Sequence, residues 1–248
     1  MKTTLVSALA VASLFIFSCN DDVETTTEVS APVPEVFSSN YKSAVTVSAT
    51  TNFVVLKSSG VPDHVTPYWG VGKVLYEEQM DGHTVNPGNL QTQNFTMTIL
   101  KNPTEAVSKE PTSLGPIGMA LNGVAIFNDR EGGNVPVNSD TLLSFDRAGA
   151  HSGPGGLYHY HFNGDFTSGD DSNLIGWLRD GFPIYGRKCN ATDAYPTNLD
   201  SNGGHISITT EYPDGIYHYH CSNVNYMNSG YYVLKAGSYH GTKGTFTF

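Results

Sequence analysis

Four of the chain's nine histidines lie in two copies of one tetrapeptide. Tyr158-His159-Tyr160-His161 recurs as Tyr217-His218-Tyr219-His220. Side chains alternate between the two faces of a strand, so both histidines of a copy would point one way and both tyrosines the other. Paired imidazoles on one face can converge on a metal ion, and such ligands suit copper or zinc. We predict that His159, His161, His218 and His220 bind copper or zinc. The structural alternative is buried histidines bonded to carbonyls.

Two further histidines precede the tetrapeptides. His151 and His205 are candidates for a third ligand in each half, or for a proton relay. The loop between His151 and the first tetrapeptide has six residues, 152–157, whereas the loop after His205 has eleven, 206–216. We therefore expect these two histidines not to sit identically beside their strands. His64, which lies outside the repeated region, is a weaker candidate for an additional ligand.

Two aspartates occupy matched positions ahead of these histidines. Asp146 stands five residues before His151, and Asp200 stands five residues before His205. Each is a candidate for a carboxylate that orients an imidazole through its other nitrogen. An aspartate that stabilises a turn is an equally good interpretation of both positions.

The similarity between the two halves extends beyond the tetrapeptides. Residues 118–127 align with 176–185 at an offset of 58, and each segment contains an Asn-Gly or Asp-Gly hairpin signal. Each half reads as strand, turn, strand, Asp-x4-His, glycine-rich turn and tetrapeptide. We predict internal repeats over residues 114–165 and 172–225, each a half-domain that buries its core against the other.

These motifs resemble the YHYH-domain proteins, a family named for the tetrapeptide. The likeness covers most of residues 52–241 and includes 59–64, 86–89 and 180–186. The resemblance implies the family's fold and a metal site, but no particular reaction. One departure is Ser238, where the family often has cysteine, so the resemblance implies no disulfide at that position here.

Strand signals dominate the chain. Residues 44–57 are rich in Val and Thr, and residues 95–100 alternate between apolar and polar side chains. No segment keeps a helical apolar period over three turns, and the 26 glycines and 13 prolines fit many turns. We predict a mainly β fold, a sandwich or barrel built from two duplicated half-domains, in a domain over residues 41–248.

The N-terminus predicts export. Residues 1–18 have the charged start and the short apolar run of a lipoprotein signal peptide, which would be cleaved before Cys19. Residues 19–40 contain few apolar side chains, so we expect a lipidated cysteine followed by a flexible stalk. Acidic residues directly after Cys19 favour a lipid anchor in the outer membrane, with exposure at the cell surface as one of two orientations.

Export also bears on the two remaining cysteines. In an oxidising compartment Cys189 and Cys221 are expected to form a disulfide. A role for Cys221 as a thiolate metal ligand is the alternative.

Composition and motifs narrow the functional classes. The net charge of −10 argues against nucleic acid as a partner. The chain lacks a Gly-x-Ser-x-Gly elbow, a phosphate loop and a His-Glu-x-x-His motif. The leading hypothesis is therefore an exported, membrane-tethered protein whose partners are a metal ion and the membrane lipid.

Two other functions stay open at this stage. One is a metalloenzyme, hydrolytic with zinc or oxidative with copper, that uses the same histidines and takes an acid or base from the matched aspartates and histidines. The other is a carbohydrate-binding or adhesion module in which the tetrapeptides are framework. In that case Trp69, Trp177 or Tyr195 would stack on a sugar ring.

Overall fold

Strands make up most of the regular structure of residues 29–248, the part of the chain that the computed structural model describes. The strands are β1 (Ser30–Ala31), β2 (Val45–Thr50), β3 (Phe53–Ser58), β4 (Phe95–Leu100), β5 (Gly118–Ala120), β6 (Ala125–Ile126), β7 (Arg130–Glu131), β8 (Val135–Pro136), β9 (Ala150–Ser152), β10 (Tyr158–Tyr160), β11 (Phe162–Asn163), β12 (Leu174–Leu178), β13 (Pro183–Tyr185), β14 (Gly204–Ser207), β15 (Ile216–His220), β16 (Tyr232–Val233) and β17 (Thr245–Thr247). The helices are α1 (Glu35–Ser38), α2 (Ser139–Leu142) and the 3₁₀ turns Pro67–Trp69, Gly132–Asn134, Pro154–Gly156 and Tyr226–Asn228. The predicted mainly β class is confirmed.

A five-stranded antiparallel sheet is built in the order β1-β2-β3-β4-β17. The alternation predicted for residues 95–100 is present in β4, where Phe95, Met97 and Ile99 are fully buried and the residues between them are half-buried. The buried residues pack with Met119 and Trp177 of a second, larger sheet. The arrangement is therefore sandwich-like, with an apolar layer between two sheets.

The larger sheet has eight strands in the order β14-β15-β13-β12-β5-β6-β10-β9. Strands β5 and β12 pair at its centre, with Trp177 opposite Met119. On one side β5 pairs with β6, β6 runs parallel to β10, and β10 pairs with β9. On the other side β12, β13, β15 and β14 follow with the same directions. The two halves thus share one topology, while a duplicated origin stays a prediction.

Both predicted hairpins are present, but their loops are one residue longer than a two-residue turn. The amide of Gly123 donates to the carbonyl of Ala120, and the amide of Gly181 donates to that of Leu178. Both glycines have φ of +87°, a left-handed conformation that strongly favours glycine. A three-residue loop that ends on such a glycine is the next common hairpin type after the two-residue loop.

The domain begins earlier in the chain than the sequence predicted. Ser30 and Ala31 pair with Thr50 and Ala49 of β2. Phe37 in α1 is only 2% exposed, and its ring centroid lies 4.7 Å from that of Trp177. A flexible stalk reaching to residue 40 is therefore wrong for residues 30–38, because Phe37 supplies an apolar group that the composition of the segment concealed.

The remaining predictions for the N-terminus lie outside the described residues. These are the signal peptide at residues 1–18 and the lipidated Cys19. Within residues 29–248, no helix has the length and apolar character needed to cross a membrane.

The larger sheet divides the tetrapeptide side chains between its two sides. Its tyrosine face, defined by Tyr158, Tyr160, Tyr217 and Tyr219, is buried in an apolar cluster with Tyr68, Leu90, Leu234 and Tyr239. Its histidine face, defined by His159, His161, His218 and His220, is the opposite side. The five-stranded sheet covers the centre of the histidine face, and the histidines flank that covered region. The alternation predicted from the sequence is confirmed in both copies.

Every tyrosine hydroxyl on the tyrosine face has a polar partner. Tyr158 donates to Asp146 at 2.7 Å, Tyr217 to Asp200 at 3.0 Å and Tyr219 to Asp180 at 2.5 Å, while Tyr160 accepts from Asn122 at 3.0 Å. Asn122 and Asp180 are the matched residues of the two hairpin turns. The tyrosine hydroxyls therefore connect the turns and loops of each half to the sheet through hydrogen bonds, while the aromatic rings are buried.

Removing the Phe37 ring tests where the domain begins. We expect Phe37→Ala to lower the free energy of unfolding by about 3–5 kcal/mol, because it opens a cavity beside Trp177. Val29→Ala is the control, since Val29 is 68% exposed and should change little. Urea unfolding of both variants provides the measurement, and equal stabilities would restore the stalk interpretation for residues 30–38.

Candidate metal centres

The histidine face carries two clusters of four potential metal ligands. The Glu131 cluster consists of Glu131, His151, His159 and His161, and the Cys189 cluster consists of Cys189, His205, His218 and His220. Within each cluster the ligand atoms all lie within 4.8 Å of one another. Glu131 and His205 are half-buried and the other six side chains are buried. Each cluster is thus enclosed by protein on most sides.

Strand pairing brings the histidines together. His151 on β9 lies opposite His159 on β10, and His205 on β14 lies opposite His218 on β15. The second tetrapeptide histidine follows two residues later on the same face, so three imidazoles converge at each site. His151 and His205 therefore lie beside the tetrapeptide histidines, and their role as metal ligands stays a prediction.

The expectation that these two histidines sit differently is wrong. Both have the same register against their tetrapeptide strands. The extra residues of the longer connection lie beyond the paired histidines. Strands β14 and β15 stay paired as far as Ser207 and Ile216, and the remaining residues form the turn. The length of the connection therefore affects the end of the hairpin and leaves the histidine positions unchanged.

Backbone carbonyls fix the orientation of the tetrapeptide imidazoles. The Nδ1 atoms of His159, His161, His218 and His220 lie 2.9, 2.5, 3.0 and 2.8 Å from the carbonyl oxygens of Leu157, Asn128, Ile216 and Gly186. A carbonyl oxygen can only accept, so each Nδ1 carries the proton. Every Nε2 then presents a lone pair towards its cluster, as a metal ligand must.

The third imidazole of each cluster is held by a side chain. Nδ1 of His205 lies 2.9 Å from Oδ1 of Asn198. Nδ1 of His151 lies 2.8 Å from Oγ of Ser144 and 3.2 Å from the side-chain amide nitrogen of Asn86. The oxygen of Asn198 leaves Nε2 of His205 with a lone pair, so five of the six imidazoles are set for ligation through Nε2. The neighbours of His151 hold the orientation of its ring.

Facing lone pairs leave several buried atoms without a hydrogen bond. In the Glu131 cluster, Glu131 Oε1, His151 Nε2 and His161 Nε2 have no hydrogen-bond partner among the described residues. In the Cys189 cluster, Nε2 of His205 lies 3.2 Å from Nε2 of both His218 and His220. Buried acceptors that face one another repel and have lost their hydration. A cation among them removes both costs.

The distances between ligand atoms fit a tetrahedral ion. Nitrogen or oxygen ligands at about 2.0–2.1 Å from such an ion lie about 3.3 Å apart, and a sulfur ligand at about 2.3 Å lies about 3.6 Å from a nitrogen. Glu131 Oε1 lies 3.3 Å from His151 Nε2 and 3.4 Å from His161 Nε2. Cys189 Sγ lies 3.7 Å from His205 Nε2. The residues present therefore fit zinc or copper at both sites.

Burial keeps the imidazoles in the form that binds a metal. It lowers the pKa of His218 and of His220 to about 4. It also holds the pKa of His159 and His161 well below the usual value, and neighbouring histidines of the cluster act in the same direction. At neutral pH these four histidines are uncharged, so a metal ion does not have to displace a proton from them.

Sequence reasoning missed Glu131 and the ligand position of Cys189. The two residues are 58 positions apart, the same offset that aligns 118–127 with 176–185. The carbonyls that hold His161 and His220, those of Asn128 and Gly186, differ by 58 as well. Extending the alignment four residues beyond 127 would have found the pair, although a change from Glu to Cys hides the equivalence.

The predicted disulfide is absent. Cys189 and Cys221 are both free and buried. Cys221 follows His220 and therefore points to the tyrosine face, where its thiol donates to the carbonyl of Tyr185 at 3.2 Å. Burial raises the pKa of the Cys221 thiol far above its usual range, which opposes a thiolate there. The thiolate candidate in this protein is Cys189, on the other side of the sheet.

The two matched aspartates do not contact the histidines of the two clusters. Asp146 accepts from Thr66 Oγ1 at 2.5 Å and from the amides of Ala148 and Ala150, in addition to Tyr158. Asp200 likewise accepts from the backbone amides of its own turn and from Tyr217. Both are turn aspartates of the tyrosine face, so the predicted role in orienting an imidazole is wrong.

Other predicted residues lie away from the clusters as well. Nε2 of His64 is 2.7 Å from the hydroxyl of Tyr160, on the tyrosine face, so His64 is no additional ligand. Trp177, one of the aromatics considered for sugar stacking, is fully buried in the core. Tyr195 is 44% exposed, but its ring faces the guanidinium of Arg187 at 5.5 Å.

The two clusters are separate sites. Five strand-to-strand steps lie between β10 and β15 in the sheet order, which corresponds to about 24 Å at about 4.8 Å per step. No single ion can bridge that distance. Each half of the sheet therefore has its own set of four potential ligands.

Comparison with known proteins gives a family match over part of the chain. A family model described as YHYH protein matches residues 96–198, which include all four residues of the Glu131 cluster and Cys189 of the second cluster. No curated protein and no solved structure matches the chain. The match, together with the duplicated tetrapeptide, supports membership of the YHYH protein family.

Proposed function

We propose that this protein is an exported, membrane-tethered metal-binding protein that holds two transition-metal ions, copper or zinc. One ion is bound by the Glu131 cluster and the other by the Cys189 cluster. The observation that carries the proposal is the set of buried, unpartnered acceptor atoms that face one another in the Glu131 cluster. A protein stable without an ion at that point would leave three buried polar atoms unsatisfied.

Three features support the proposal beyond that observation. The tetrapeptide imidazoles are locked in the tautomer that offers Nε2. Ligand atoms of both sites include pairs that lie 3.2–3.7 Å apart, as around a tetrahedral ion, and all ligand atoms of a site lie within 4.8 Å of one another. The same three-histidine arrangement occurs twice in one sheet, which a purely structural role for the histidines does not require.

Binding is favoured over catalysis by the surroundings of the clusters. Each has four protein ligands, the number typical of sites that hold an ion without offering it a free position. The metalloenzyme hypothesis takes its acid or base from Asp146, Asp200, His151 or His205. The two aspartates lie on the tyrosine face, and the two histidines belong to the clusters themselves. No observation favours the carbohydrate-binding alternative, and its candidate Trp177 is in the core.

Metal content of paired variants tests the two sites separately. After loading with zinc, we expect two ions per chain in the wild type, because each cluster has a full ligand set. His159→Gln with His161→Gln should retain one ion, and His218→Gln with His220→Gln should retain the other. Elemental analysis of desalted protein gives the stoichiometry, and near-ultraviolet circular dichroism verifies that each variant is folded.

His83→Gln is the matched control, because His83 belongs to neither cluster and binds the carbonyl of Phe145. It should retain both ions. Loss of both ions in one paired variant would mean a single shared site. A wild-type protein that binds no ion after loading would end the proposal.

Metal removal should destabilise the fold. An ion that binds only the folded chain adds about 4 kcal/mol per site when its free concentration is about 1,000 times its Kd. We therefore expect the unfolding midpoint of wild-type protein to fall on dialysis against a chelator and to recover when zinc is returned. A variant with all four tetrapeptide histidines changed to Gln should show the same midpoint with and without zinc. A midpoint that does not respond in the wild type contradicts the proposal.

Export and tethering rest on residues 1–19, so they are tested on the full chain. We expect Cys19→Ser to move the protein from the membrane fraction to the soluble fraction, because the residue that would carry the lipid is gone. Cys221→Ser is the control and should stay with the membranes. Fractionation followed by immunoblotting measures both, and a membrane-bound Cys19→Ser protein would rule out a lipid anchor at this residue.

A further inference from the structure

The two clusters differ in one ligand only. Each contributes three imidazoles through Nε2 from the same strand positions, and the fourth ligand is Glu131 in one and Cys189 in the other. Because these residues are 58 positions apart, they occupy equivalent places in the two halves. The protein therefore contains a natural comparison between a carboxylate and a thiolate in an otherwise shared ligand set.

That single difference changes the ion that each site prefers. A thiolate is a soft, polarisable ligand that favours Cu⁺, whereas a carboxylate is a hard ligand that favours divalent ions. Zinc is borderline and accepts both kinds of ligand. Ligand softness therefore predicts that the two clusters differ in their affinity for Cu⁺ but not in their affinity for Zn²⁺.

Burial strengthens the role of the fourth ligand at the Cys189 cluster. Cys189 is 3% exposed, and His218 and His220 are buried beside it. A carboxylate or a thiolate with three neutral imidazoles gives the same charge of −1, so charge balance does not distinguish the two clusters. The softness of the fourth ligand is the difference between them.

The Cys189 cluster is also reachable from solvent. A cleft of about 420 Å³ is lined by Cys189 and His205 together with Tyr195, Asn198 and Ile206. The two ligands on this side belong to the hairpin strand β14 and to the segment after β13, at the rim of the large sheet. An ion can therefore enter and leave along the side on which the thiol lies.

We propose that the Cys189 cluster is a Cu⁺-selective site and that the Glu131 cluster is a site for divalent ions. This inference rests on the proposed function, because it requires both clusters to bind metal. Its specific content is that zinc occupies both clusters, whereas Cu⁺ competes with zinc at one of them.

The test is an anaerobic titration of zinc-loaded protein with Cu⁺, monitored through a chromophoric Cu⁺ chelator and through the zinc released. We expect one zinc ion to be released per chain in the wild type. Cys189→Ser should lower the affinity for Cu⁺ by at least tenfold while the Glu131 cluster keeps its zinc. Cys221→Ser is the matched control, since it removes the other buried thiol and should behave as the wild type.

Exchanging the ligands between the sites makes the test symmetrical. Glu131→Cys should create a second Cu⁺ site, so that two zinc ions are released. Cys189→Glu should abolish tight Cu⁺ binding and keep zinc at both sites.

Release of both zinc ions from the wild type, or unchanged Cu⁺ affinity in Cys189→Ser, would overturn the inference while leaving two metal sites in place. Absence of zinc from the starting protein would instead overturn the proposed function.

Discussion

Donation of a histidine Nδ1–H to a backbone carbonyl determines what the histidine face of this protein can do. Because a carbonyl cannot donate, the proton of each tetrapeptide imidazole must lie on Nδ1. This leaves Nε2 as an acceptor in each of these histidines. Two of these carbonyls, in Leu157 and Ile216, lie two residues before the histidine they hold. The other two, in Asn128 and Gly186, follow the strand that runs parallel to the tetrapeptide. The strand pairing that builds the sheet therefore also fixes which nitrogen each imidazole offers to a metal ion.

The tetrapeptide side chains make specific contacts on both sides of the sheet. On one side the imidazoles face a cluster that contains few hydrogen-bond donors. On the other side the tyrosine hydroxyls donate to or accept from turn residues such as Asp146 and Asn122. A shift of the register by one residue would place tyrosines in the clusters and histidines against the apolar core. Contacts on both faces therefore stabilise the same register. This explains why tyrosine and histidine alternate over all four positions of the tetrapeptide.

Local pattern predicted most of what depends on alternation and repetition. The strands, the hairpins and the two faces follow from a period of two and an offset between halves. Several of the errors lie where partners are distant in sequence. The disulfide between Cys189 and Cys221 was inferred from compartment alone, yet the two thiols point to opposite sides of one sheet. Phe37 of α1 packs on Trp177 of the larger sheet, far along the chain, so the composition of its own segment does not indicate its burial. The counterpart of Glu131 is a cysteine, which conceals their equivalence.

The distance across the sheet also sets how the two ions would influence each other. Two unit charges about 24 Å apart interact by less than about 1 kcal/mol at an effective dielectric constant of about 20, and physiological salt screens this further. Filling one half would therefore leave the affinity of the other almost unchanged, unless the central strands β5 and β12 shift on loading. With both ions bound as proposed, the response would be graded and non-cooperative, and each half would follow the concentration of its own ion with a Hill coefficient near one.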